Sequence, residues 1–260
     1  MIRAVAPSSA GVVAVLTGDI IGSSQLSAAR LSRARAIVLE GARQFNSRSR
    51  RSVVGKPEFF RGDAWQLLLK EPRLALRAAL YIRALLSSET GVGTRISLGV
   101  GHVDVIDRSR ISLSTGEAFT LSGHALDQMT GYFDLSGALP ERAGPLVGWF
   151  PAILHLSSGL VRHWTRRQAE IVSLALLLDN PTHERIATTL SPPVSKQTVS
   201  ESLAGAGWRT LLEGLRAFEG TDWARIAGLP RGEAGGPDRR FPLSGLRQGN
   251  SPVISRDWSK

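Results

Sequence analysis

The chain of 260 residues contains no cysteine, which excludes a disulfide framework, cysteine-ligated zinc and iron–sulfur clusters. Aromatic residues make up only 6% and there are two methionines, so any core has to be built from aliphatic side chains. No apolar run approaches the roughly 20 residues that cross a bilayer; the longest candidate is Ile171 to Leu178. The mildly apolar stretch behind Arg3 is closed by Asp19 and does not make a signal sequence. Repeats at solenoid periods are absent, as is any Ser-His-Asp or nucleophile-elbow pattern, which leaves hydrolase readings without support. These absences predict a cytoplasmic protein with no membrane partner.

What is present is a hydrophobic content of 42% and a strong excess of base over acid, 32 Lys and Arg against 22 Asp and Glu, for a formal charge of +10. The first says globular, with length for one large domain or two ordinary ones. The second predicts an acidic partner, nucleic acid foremost.

The run from Val12 to Leu16 is short, Val-rich and uninterrupted, which suits a fully buried strand, and it ends in Thr17-Gly18-Asp19-Ile20-Ile21-Gly22-Ser23-Ser24. A carboxylate at a strand end, followed by glycine-bearing backbone and a helix start, can hold a divalent cation while free N–H groups face phosphates. A second Gly-Asp pair follows 44 positions later in Arg61-Gly62-Asp63-Ala64-Trp65. Between the pairs, Leu31, Ala34, Val38, Ala42 and Phe45 share one helical face, and Arg48, Arg50 and Arg51 form a basic cluster. Residues 53–60 and 64–69 read as strands joined at Gly62-Asp63. Pro72 opens a helix whose buried face is Leu74, Ala78, Ile82 and Leu85, and a strand follows from Thr94 to Val105, weakened by Gly99 and Gly101.

This order of strand, acid, helix, strand, acid, strand resembles the class III nucleotidyl cyclase homology domain and the reduced, SatD-like versions of it. The resemblance implies a ferredoxin-like βαββαβ domain in which Asp19 and Asp63 bind Mg²⁺ or Mn²⁺. Gly18, Ile20, Ile21, Gly22 and Ser23 would then border a bound nucleotide, with Thr120 and His124 across from them. The helix from Gly116 is similar to the family's Gly-x-x-Val-Asn-x-Ala-x-Arg helix, but Thr120 and His124 stand where the ribose-orienting Asn and the charge-stabilising Arg belong. Neither replaces its counterpart: threonine is too short, and neutral imidazole lacks the fixed charge and fork of a guanidinium. Such an arginine contributes about three orders of magnitude or more in phosphoryl transfer, so its absence predicts a site that binds without fast turnover. Either aspartate alone is more often a cap or turn residue; the ordered pair carries the expectation. Trp65 reads as core, and His102 and His124 as polar residues rather than metal ligands, since no second His or Cys stands at ligand spacing.

A turn-rich stretch from Pro140 to Pro151 marks a boundary. Beyond it, Thr165-x-x-Gln168 is a capping box opening one helix, His183 to Leu190 is a second, and Ser195 caps a third through Leu203. Ile186, Ala187, Leu190, Val199 and Leu203 occupy positions that resemble the core of a (winged) helix-turn-helix, with a turn lengthened by Pro192-Pro193. That resemblance places Ser195, Lys196, Gln197, Thr198, Ser200 and Glu201 on DNA. A further amphipathic helix, Trp208 to Phe218, is expected to pack under this motif or against a second copy of the chain. From Arg225 to Lys260, seven bases oppose three acids in a Gly- and Pro-rich segment, whose composition predicts a disordered basic tail.

The expected organisation is α+β: residues 1–150 as the cyclase-type domain, 151–220 as an all-α helix-turn-helix domain and 221–260 as the tail. The expected function is a DNA-binding transcriptional regulator that senses a nucleotide or nucleotide second messenger, working as a homodimer; the alternative is an active, metal-dependent nucleotidyl cyclase making a cyclic nucleotide from ATP or GTP.

Overall fold

In the computed structural model, which describes residues 11–60, 62–178 and 181–228, β1 (Val13–Ile20) is the central strand of a five-stranded mixed sheet. Both of its faces are covered. Val12, Ala14, Leu16 and Ile20 join the larger core, while Val13 and Val15 pack on the opposite side with Leu68, Ala118 and Phe119. This is why the strand reads as a continuous apolar run rather than an alternating one.

α1 (Ala28–Arg48) starts where the Ser27 hydroxyl accepts the Arg30 N–H at 3.3 Å, and it buries Ala34, Val38, Ala42 and Phe45. β2 (Val53–Phe60) and β3 (Ala64–Leu69) form the expected antiparallel hairpin, with Gly62 at φ 88° in its turn. α2 (Ala75–Thr90) follows a single 3₁₀ turn at Pro72–Leu74 and ends at Gly91. β4 (Thr94–Gly101) returns antiparallel to β1, giving the order β2-β3-β1-β4. α3 (Glu117–Asp127) crosses the second face, and β5 (Leu135–Ala138) extends the sheet parallel to β4.

Three features depart from the sequence reading. β5 is only four residues, Leu-Ser-Gly-Ala, too short for a periodicity. The stretch expected as a boundary contains α4 (Leu146–Val161), which takes Pro151 into its interior and carries the chain through position 150 as helix. α4 lies on β5, where a Cβ at Gly137 would come within 2.7 Å of both Phe150 and Leu154. Residues 221–228 are not tail: α9 (Trp223–Ala227) buries Trp223 edge-on against Phe150, with ring centroids 5.6 Å apart. The expected tail beyond that lies outside the described residues.

α5 (Arg166–Leu177), α6 (His183–Thr189), α7 (Lys196–Gly205) and α8 (Trp208–Glu219) complete the described chain. They do not have a core of their own. One contiguous apolar cluster runs from Val12 through α2 and α5 to Ala227. α2, lying between the sheet and α5, is therefore buried almost all round, and Arg83 within it is held by a buried ion pair with Asp134. α8 turns Leu211, Leu215 and Phe218 into this core, which removes it as the contact between two copies. The fold class is α+β.

Candidate functional site

The strand-end carboxylates are organised by a residue the sequence reading passed over. The antiparallel register sets Asp19 opposite Arg95 of β4. Arg95 Nε donates to Asp19 Oδ1 at 3.0 Å and Nη2 donates to Oδ2, a fork-to-fork pair of the strong, charge-assisted kind. Arg95 Nη1 also donates to the Met129 carbonyl at 3.3 Å. The Asp19 bond, and then the nearby charges of Asp134 and Asp63, raise the Arg95 pKa further above its ordinary value despite desolvation. Asp63, in the hairpin turn, accepts the hydroxyl of Ser23, which ties the β1–α1 turn to the β2–β3 turn. The two Gly-Asp pairs thus do converge on one end of the sheet. Thr94 Oγ1 donates to the Asp19 carbonyl at 2.6 Å and accepts the indole N–H of the fully buried Trp65 at 3.2 Å, so Trp65 is core, as expected.

Tested as a metal centre, this arrangement does not fit: both oxygens of Asp19 are engaged by a fixed cation, and a divalent ion would have to displace Arg95. Among the described residues no cluster of three or more His, Asp or Glu side chains is placed to hold a metal. Gly18 is not part of a phosphate-cradling loop. It lies within the strand, and a Cβ there would meet the Trp65 ring at 2.6 Å. Ile20 is buried, and the Ile21 N–H is spent on the Gly93 carbonyl at 3.0 Å. Gly22 adopts φ 66° in an exposed turn that only glycine enters easily. Thr120 and His124 are exposed, one turn apart on α3. Thr120 Oγ1 turns back to the Gly116 carbonyl, and no hydrogen bond or ion pair among the described residues joins either side chain to Asp19 or Asp63.

The second group of expected site residues lies on α7. Its helix start is built as read: Ser195 Oγ accepts the Thr198 N–H at 3.0 Å. Ahead of it, Thr165 and Gln168 form the reciprocal capping box of α5. Val199 and Leu203 are buried beneath α7, against α5 and α6. Ser195, Lys196, Gln197, Ser200 and Glu201 are exposed, Thr198 is half-buried, and Gln197 Nε2 donates to Glu201 Oε1 at 2.8 Å. The outcome is a polar, outward helix face on a rigid base, more than 130 residues along the chain from the carboxylate cluster.

A signal for Arg95 was available in principle. A lone arginine at the start of a strand otherwise made of Ile, Ser, Leu, Gly and Val needs a partner if its neighbours are buried. No protein-family model matches the chain, and no curated protein matches it.

Proposed function

We propose that the protein is a DNA-binding transcriptional regulator in which α6 and α7 act as a helix-turn-helix and the sheet-bearing part serves as a non-catalytic, ligand-responsive body. The observation that carries this reading is the outward face of α7, capped by Ser195, seated on Val199 and Leu203, and presenting Lys196, Gln197 and Ser200. The positive chain supports it, because phosphate contacts supply most non-specific affinity. The order β2-β3-β1-β4 with antiparallel neighbours agrees with a ferredoxin-like βαββαβ unit of the cyclase type. The bidentate Arg95–Asp19 pair favours a body that does not turn over nucleotide over an active cyclase.

The test is a binding titration on duplexes selected by the protein from a random pool and on scrambled duplexes, at several salt concentrations. Gln197 reads adenine when its amide leaves Glu201, so Gln197→Ala should cost about 1–3 kcal/mol on the selected site and little on the scrambled one. Equal loss on both duplexes, or none, sinks the assignment of α7 as the reading helix.

A further inference from the structure

A cleft of about 620 Å³ opens between the end of α1, the start of α2 and helices α5 to α8. That volume is in the range of small-molecule sites. Its charge is one-sided: five arginines line it against two glutamates. The glutamates are committed within the protein. Glu219 takes the Arg77 guanidinium, which also donates to the Leu176 carbonyl at 3.3 Å, and Glu71 takes Arg73. Among the described residues Arg216 pairs only with exposed Glu213, a contact of small worth. The side chains of Arg48 and Arg50 make no ion pair or hydrogen bond among the described residues, and both are exposed at the cleft.

The backbone that presents Arg50 is itself costly. Arg50 and Arg51 stand at φ 51° and 57° in succession, a left-handed conformation that disfavours an L side chain by about 1–2 kcal/mol per residue, and strain of this kind gathers at ligand-holding segments. Half-buried Trp208 and Leu177, with Pro181, give the same cleft an apolar stretch of wall.

We infer that this cleft binds a phosphate-bearing small molecule, its phosphates on Arg48 and Arg50 and its apolar or aromatic part on Trp208. Guanidinium forks match phosphate oxygens in pairs, and the wall would hold a ring. This inference rests on the ligand-responsive half of the proposed function and moves the ligand away from Asp19 and Asp63. The location gives the ligand leverage: Ile186 of α6 and Leu203 of α7 line the same cleft as Phe45 and Leu74 of the sheet-bearing part.

The full chain should be titrated calorimetrically with inorganic pyrophosphate, and with mant-ATP read by energy transfer from tryptophan. The expected result is binding that weakens at least tenfold in Arg48→Ala/Arg50→Ala, stays unchanged in Arg30→Ala, and loses most energy transfer but not affinity in Trp208→Phe. Both arginine side chains are exposed and make no hydrogen bond or ion pair among the described residues, so the double variant should fold; circular dichroism checks this, and Arg50→Glu supplies a second route to the same loss. No binding at millimolar pyrophosphate overturns the inference. So does binding lost in Asp19→Ala but not in the double arginine variant, or citrate binding as tightly as pyrophosphate. A protein that binds pyrophosphate through Arg48 and Arg50 but binds no DNA sustains the cleft and overturns the regulator.

Discussion

Replacing Arg95 by glutamine keeps length and polarity and removes the charge that holds the strand-end carboxylates together. Hydrogen bonds to charged groups contribute about 1.5–3 kcal/mol, and Arg95 makes two to Asp19. The side chains are 34% and 18% exposed, so solvent screening moves the worth of the pair toward the surface-pair range, and the expected loss is about 1–2 kcal/mol. A double-mutant cycle with Asp19→Asn isolates the pair, with an expected coupling of about 1 kcal/mol. The substitution has a second consequence. With the guanidinium gone, both oxygens of Asp19 lose the cation that engages them, and a divalent ion can then reach that carboxylate. Urea unfolding in the presence of Mn²⁺ should therefore stabilise Arg95→Gln by about 1.4 kcal/mol when the ion stands at ten times its Kd, and should leave the wild type unmoved. Wild-type stabilisation equal to that of the variant would show that Arg95 does not exclude the ion, and zero coupling in the cycle would show that the pair is ornamental.

Three other outcomes are expected. Burial lowers the His155 pKa, with the ring stacked on Phe133 at 3.9 Å. Its contribution to stability is full above about pH 6.5 and is lost as pH falls through the depressed folded value. Desolvation raises the Glu117 carboxyl, but its bonds from Arg142 and the His102 N–H, with the Arg142 charge, prevail and lower it, adding a second loss below about pH 4.5. Melting temperatures from pH 8 to 3 should fall in two limbs, the upper one absent in His155→Gln and the lower one reduced in Glu117→Gln. Gly99→Ala should destabilise by about 3 kcal/mol in denaturant titration, because its Cβ would sit 2.2 Å from the Ala118 carbonyl oxygen and 2.6 Å from the Ser122 nitrogen; a loss under 1 kcal/mol would mean α3 moves away freely. Trp149, Ile153 and Leu156 are exposed on α4 at the 3–4 spacing of a helix-pairing seam, on a helix with no Asp, Glu, Lys or Arg to repel a second copy. Light scattering should give a dimer for the wild type and a monomer for Trp149→Lys/Leu156→Lys.

Local pattern alone determined a good part of this protein. The bounds of the β2–β3 hairpin, the buried faces of α1 and α7, the Ser195 cap and the Thr165–Gln168 capping box follow from periodicity and short-range hydrogen bonding, and all lie within a few residues of their own sequence. Residues far apart decided the rest. Asp19 has its character from Arg95, 76 positions away, and only strand register brings them together. Gly99, which weakens a strand when read by propensity, is the place where α3 lies against β4. β5 exists because β4 offers it an edge, and α4 survives its proline because Phe150 and Leu154 are buried on that edge. Trp208 to Phe218 is amphipathic whether its apolar side meets a second copy or this chain's own core. Periodicity says that a face will be buried, and only the assembled core says against what.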